Sequence, residues 1–138
     1  MMKIILDKGA KMPVSAHEAD AGYDLFAREM KVIPAHGSAK FDTGVHVQIP
    51  KGYVGFLKSK SGLNVKHGII SDGTIDSGYT GSIVAKLYNL SDEPYTVHVG
   101  DKITQIVFQK IAKPKFNVVK AFKKTERGNG GFGSTGRA

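Results

Sequence analysis

Glycine or proline interrupts nearly every window of this 138-residue chain that is long enough to show a 3.6-residue hydrophobic repeat. That punctuation, 17 Gly and 5 Pro in all, excludes a helical bundle and leaves short strands as the way to bury apolar side chains. Strand alternation is easy to find. Phe41, Thr43, Val45, Val47 and Ile49 alternate with more polar neighbours up to Pro50-Lys51-Gly52, and Tyr53 to Leu57 resume after that turn. Ser82 to Leu87, Tyr95 to Val99 and Lys102 to Ile111 read as further strands. Short strands at this spacing, separated by Gly, Asp, Asn and Pro, predict an all-β sandwich or jelly roll. The one expected helix is a turn or two over Ser61 to Lys66, with Ser61 as its N-cap. The length fits a single domain, with no repeat and no linker to divide it.

Charge narrows the partner. Twenty Lys and Arg stand against 12 Asp and Glu, a net charge of +8 and a pI near 9.7, so an anionic ligand is expected. With no cysteine, disulfide staples, cysteine zinc sites and thiol catalysis are excluded, and burial must hold the fold. No stretch approaches the roughly 18 to 20 apolar residues of a membrane span. The opening MMKIILDKGAK has too short an apolar run for a signal peptide, so a cytoplasmic protein without a membrane partner is expected.

Individual motifs are each open to a plain structural explanation. Gly128, Gly130 and Gly133 have GxGxxG spacing, but a dinucleotide fold needs a helix after them and the sequence has only five residues more. The five histidines form no HxH or HxxxH pair, and there is no GxSxG elbow. Asp76, in Gly73-Thr-Ile-Asp-Ser-Gly-Tyr-Thr-Gly81, is either a hairpin turn residue or a catalytic carboxylate. Asp24, in AGYDLFA, is similarly a turn carboxylate or a site residue. Lys58 to Leu63, KSKSGL, is an exposed basic loop or a phosphate cradle. The tail after Arg127, RGNGGFGSTG, is too Gly-rich to fold alone. It is a disordered end, or an arm that orders over a ligand with glycine amides and hydroxyls for phosphate and one aromatic ring for stacking.

Taken together and in order, AGYDLFA (21–27), KSKSGL (58–63), GTIDSGYTG (73–81), GDKITQ (100–105) and RGNGGFGSTG (127–136) resemble the five motifs of the trimeric-type dUTPases, which hydrolyse deoxyuridine triphosphate. The resemblance implies a distorted jelly roll over residues 1–126 and a flexible arm over 127–138 that closes an active site in a homotrimer. One subunit would supply the first, second and fourth motifs, another the third, and the last its arm. Asp76 would be the general base that orients water for in-line attack on the α-phosphorus, giving dUMP and pyrophosphate. Such an activity keeps uracil out of DNA and supplies dUMP for dTMP synthesis.

The same resemblance puts uracil in the hairpin from Gly73, Thr74 and Ile75 to the returning strand, with Lys86 among the substrate contacts. Tyr79 would pack on the deoxyribose, and Phe132 would stack on uracil as the arm closes. Arg127 would pair with the γ-phosphate, assisted by Gly133, Ser134 and Thr135. Lys60, Ser61 and Gly62 would lie by the α- and β-phosphates and Gln105 on phosphate. Asp24 would organise the water around a Mg²⁺ held mainly by the phosphates. Two positions depart from the family: Lys60 stands where arginine is common, and Gly78 where a second acid is common. The related dCTP deaminases carry a catalytic glutamate where this chain has Lys86, which cannot act as that base. A basic nucleic-acid or regulatory-protein module is the alternative from another class; nucleic acid is not required by the five motifs, and a regulatory partner could coexist with catalysis.

Overall fold

Alternation along the chain becomes a sheet with one buried face in the computed structural model, which describes residues 1–133, 135 and 136. In chain order its elements are β1 (Lys3–Leu6), β2 (Tyr23–Phe26), β3 (Lys31–Ile33), β4 (Ser38–Asp42), β5 (Val45–Gln48), β6 (Tyr53–Lys58), α1 (Ser61–His67), β7 (Ile69–Ile75), β8 (Val84–Asn89), β9 (Tyr95–Val97) and β10 (Lys102–Lys110). Six strands form one antiparallel sheet in the order β2-β10-β6-β7-β8-β4, and β1-β5 and β3-β9 pair beside it. Spatial neighbours are thus mostly not sequence neighbours, and the sheet curls into a distorted jelly roll.

On β8, Ala85, Leu87 and Asn89 are buried while Val84, Lys86 and Tyr88 are exposed, the period of two that one wet and one dry face require. Leu25, Ile33, Phe41, Leu57, Ile69, Leu87, Val97, Ile103 and Ile106 close into one core with almost no exposure. Buried Asn89 fits because its amide donates to the Ile33 and Glu93 carbonyls while its oxygen accepts from Ser91.

Two sequence expectations are corrected. The run Phe41 to Ile49 is two strands, not one. Gly44 turns the chain with φ +69°, against the Arg28 guanidinium. Beside it the buried Thr43 hydroxyl donates to the Ile83 carbonyl at 2.7 Å, so β4 pairs with β8 and β5 leaves to pair with β1. Ser61 is not the N-cap of α1. Lys60 holds that place with no side-chain cap, because its ammonium has no acceptor for a backbone N–H and donates to Asp24 instead. The helix ends at Gly68 in the left-handed conformation.

The packed body stops with the Ile111 amide on the Gly52 carbonyl at 2.9 Å. From there residues 112–126 run exposed, with Phe116, Val118 and Phe122 each more than nine-tenths accessible. No helix among the described residues is long and apolar enough to cross a membrane.

Candidate active site

Three of the five motifs converge where β2, β10 and the exit of β6 meet. Cross-strand pairing puts Asp24 opposite Gln105 and Gln105 opposite Lys58, so their side chains share one face. Asp24 is 5% exposed, and its two oxygens face different cations: Oδ1 accepts from the Lys60 ammonium and Oδ2 is ion-paired with Lys102 at 3.3 Å. The Gln105 side-chain amide donates to the Ser59 carbonyl at 3.1 Å, which fixes the chain entering α1. Beneath it a polar network locks the same turn. Thr104 donates to the Lys58 carbonyl at 3.0 Å and its hydroxyl meets Ser71 at 2.8 Å, while Ser59 and Ser71 exchange side-chain to backbone bonds. Ser61 and Gly62 are exposed at the start of α1. The arrangement is a small basic shelf with open hydroxyl and amide donors, suited to a polyphosphate.

Asp24 bears on the metal expected from the sequence. With both oxygens on lysines it is not an open ligand, and no group of three or more His, Cys, Asp or Glu stands ready for a metal among the described residues. The donor set fits a Mg²⁺ carried by phosphate oxygens and reached through water, not one caged by protein.

The third motif lies elsewhere in the same sheet. Strand β7 carries Gly73, Thr74 and Ile75, and Asp76 stands exposed just beyond its end. Asp72 is paired with Lys58 and Ile75 with Gly55, so Asp76 lies four residues, about 13 Å along the strand, from the shelf end of the β6–β7 pair. In one chain the carboxylate and the shelf are therefore not brought together. The turn after Asp76 is closely held. The Tyr79 amide donates to the Asp76 carbonyl at 3.0 Å, and the Tyr79 hydroxyl donates to the Ser82 carbonyl at 2.7 Å. Ser82 is in turn anchored on Asp42, which also pairs with Arg28 at 3.1 Å. The Ser82 hydroxyl, the Gly44 amide and Arg28 hold the Asp42 carboxyl below the usual carboxylate range against the opposing effect of burial. Because its folded-state pKa is depressed, this anchor is present above the ordinary carboxylate value and is lost only as pH falls into acid.

Gly81 is required by the Tyr79 ring. A Cβ there would stand 2.5 Å from the Tyr79 hydroxyl oxygen and 2.7 Å from Cζ. Gly81→Ala is expected to tilt the ring off Ser82 and lower the thermal midpoint by about 2 to 4 °C, the scale of one lost hydrogen bond, which a melting curve checks.

The remaining expected residues do not join either group. Lys86 lies on the exposed face of β8 with its ammonium over the Tyr88 ring, 5.2 Å from the centroid, directly across from Lys40. Arg127 folds back on its own turn, donating to the Gly130 carbonyl at 2.6 Å, and Phe132 is fully exposed. Gly133 and Thr135 are exposed in the same arm, and Ser134 lies outside the described residues. Sequence reasoning missed Lys102 and Gly81. Both lie inside quoted motifs, but the pairing of Lys102 with Asp24 depends on strand register, and the close approach at Gly81 depends on a side chain's path over the backbone.

Known proteins resemble this chain over nearly its whole length. The dUTPase family model matches residues 8–136. A deoxyuridine 5'-triphosphate nucleotidohydrolase of Clostridium acetobutylicum is 42% identical over 134 residues, 95% of this chain and 92% of the relative. The dUTPase of Staphylococcus bacteriophage 80alpha, solved with dUPNHPP, superposes with a TM-score of 0.93 at 32% identity over 99% of each chain. A variant dUTPase of the S. aureus phage phi11, described as coordinating a structural Mg(II) ion, gives 0.83 at 30% identity over 90% of this chain and 99% of that one.

Proposed function

The chain belongs to the dUTPase family, and for its splitting of dUTP we propose that Asp76 is the general base. Its carboxylate takes a proton from a water aligned with the α-phosphorus. That water attacks in line as the bond from the α-phosphorus to the bridging oxygen breaks, and dUMP and pyrophosphate leave. The exposed position of Asp76 at the end of β7, with no side-chain hydrogen bond in the chain among the described residues, supports this, since an unengaged carboxylate is free to hold water. Around it, the backbone of Gly73, Thr74 and Ile75 reads uracil. Tyr79, fixed upright by Ser82, leaves no room for a ribose 2′-hydroxyl. Lys60, Ser61, Gly62 and Gln105 receive the α- and β-phosphates.

When bound on the triphosphate, Mg²⁺ supplies charge neutralisation at the phosphate oxygens. Toward it the chain contributes Asp24, which holds Lys60 and Lys102 in place and would meet the ion only through its water shell. Lys60, a compact cation instead of an arginine fork, then acts on phosphate as a point charge.

One observation carries this reading. The phosphate shelf and Asp76 are separated along β7, and the described part of the arm, with Arg127, Phe132, Gly133 and Thr135, hydrogen-bonds to neither. A working site needs the shelf of one copy, the hairpin of a second and the arm of a third, which is a homotrimer closed by arm exchange. The exposed Phe116, Val118 and Phe122 of the connecting segment support it, because large apolar side chains are stable against a neighbour and costly in water. In a cell the activity keeps uracil out of DNA and supplies dUMP.

The deciding assay incubates the protein with Mg²⁺ and each deoxynucleoside triphosphate and follows pyrophosphate release. Turnover of dUTP is expected to exceed that of dCTP and dTTP by about 10³-fold or more, the scale on which a site built for one hydrogen-bonding edge rejects others. Equal turnover of all three would overturn the reading.

A further inference from the structure

The loop that follows Asp76 has a second anchor, and it is a histidine. His46 lies on β5, across from Ile5 of β1, with its side chain about one-quarter exposed. Its Nδ1 is 2.8 Å from the Thr80 carbonyl oxygen and its Nε2 is 3.0 Å from Asp7 Oδ2. Both neighbours are acceptors, a carbonyl and a carboxylate. A neutral imidazole has one N–H and one lone pair, so it can satisfy only one of them; the imidazolium donates to both. Thr80 directly follows Tyr79, and Asp7 is tied to the body through its own amide on the Gly44 carbonyl at 2.8 Å.

We propose that His46 is a positioning residue: in its doubly protonated form it bridges Asp7 and the Thr80 carbonyl, fixing the loop that follows Asp76 and carries Tyr79, and it releases that loop when one ring proton leaves. This rests on the reading of that loop as the nucleoside-binding hairpin. The charged surroundings favour the proton. Asp7, on the turn after β1, accepts directly, and Asp42, at the end of β4, adds a more distant negative charge already shared with Arg28 and Ser82. Lys3 of β1 and Gln48 of β5 line the same shallow groove. The bonds to Asp7 and Thr80, opposed by desolvation, raise the ring's pKa above the ordinary 6.5.

A raised value means that the bridge is complete below about pH 6.5 and is lost as pH climbs through the folded-state value. On deprotonation the remaining N–H stays with the charged acceptor, Asp7, because charge-assisted bonds are the stronger ones. The bare Nδ1 then faces the Thr80 carbonyl, and the two lone pairs repel. The Asp42 anchor on Ser82 behaves oppositely, holding throughout the neutral range, so a rise in pH loosens one side of the loop only.

The test uses the full-length protein without nucleotide and then with dUTP. Nuclear magnetic resonance between pH 5.5 and 9 should show the Thr80 and Gly81 amides shifting with the His46 ring, and Asp7→Asn should move both transitions to lower pH together. In steady-state assays over the same range the wild-type KM for dUTP should rise about three- to tenfold more than that of His46→Gln, the scale of losing one ordinary hydrogen bond. The change should fall on KM and not on kcat, and comparison with the variant cancels the titration of the substrate's own phosphate. A His46 titration that leaves Thr80 and Gly81 still overturns the bridge. Coupled amides with superimposable KM profiles overturn its part in binding. Either result leaves Asp76 untouched, because the role of that residue is read separately from Asp76→Asn.

Discussion

Asp76→Asn is expected to reduce dUTP turnover by about 10³-fold or more while nucleotide still binds, since a positioned general base contributes roughly 10²- to 10⁴-fold. The substitution separates the two explanations that the sequence alone leaves open. If Asp76 served only the turn, its part would be played by the backbone carbonyl that accepts the Tyr79 amide, and asparagine keeps that carbonyl. No side-chain hydrogen bond of Asp76 is lost, because among the described residues it makes none within the chain. Asparagine also tolerates turn geometry well. Folding and the Tyr79 to Ser82 bond should therefore persist, and the thermal midpoint should stay within about 2 °C of wild type, the range of a near-neutral surface change. What asparagine cannot do is accept a proton from water at neutral pH. Single-turnover kinetics would locate the loss in the chemical step, and isothermal titration with a non-hydrolysable dUTP analogue would show binding retained. An active Asp76→Asn protein removes Asp76 from the role of base.

Much of this architecture is legible in the residues. The late strand β8 follows from alternation that the core then uses, with Ala85 and Leu87 inward, whereas in β10 a register shift between Lys102 and Thr104 breaks the alternation and Ile103, Thr104 and Ile106 are all buried. The short strands β1, β2 and β3 escape such a reading because three or four residues carry too little period, and β1 is mostly exposed on both faces. The break at Thr43-Gly44 escapes it for a different reason. Alternation continues unbroken through the sequence, and only the long-range bond from Thr43 to Ile83 decides that the chain changes partner there. For the site, motif order points to Asp24, Lys60, Asp76 and Gln105, yet it cannot tell that Asp24 holds two lysines or that His46, an isolated histidine with no motif around it, sits between two acceptors. Those facts are products of register and loop path. The net charge of +8 is similarly indirect, since only a few cations, chiefly Lys60 and Arg127, are assigned to phosphate.

Removing Gly128 to Ala138 is expected to leave a folded assembly of unchanged sedimentation and a hydrolysis rate lowered on the order of 10²-fold, the cost of losing groups that orient a bound substrate. Among the described residues every bond made by this arm is local. Arg127 and Gly130 bond each other, Gly128 bonds Thr125 and Gly136 bonds Gly133, so the core loses no partner on truncation. The catalytic loss has a separate origin. Without the arm the proposed Phe132 cover over the uracil is gone, and Arg127 loses the Gly130 carbonyl that fixes its guanidinium. The segment just before it should behave differently. Deletion from Lys113 also removes Phe116, Val118 and Phe122, the exposed apolar groups that need a neighbouring subunit, and should lower the sedimentation coefficient as well as the activity. The two truncations thus assign closure to residues 128–138 and assembly to residues 113–126. Should the shorter deletion dissociate or unfold the protein, the arm would be part of the scaffold, and its role as a mobile cover would fall.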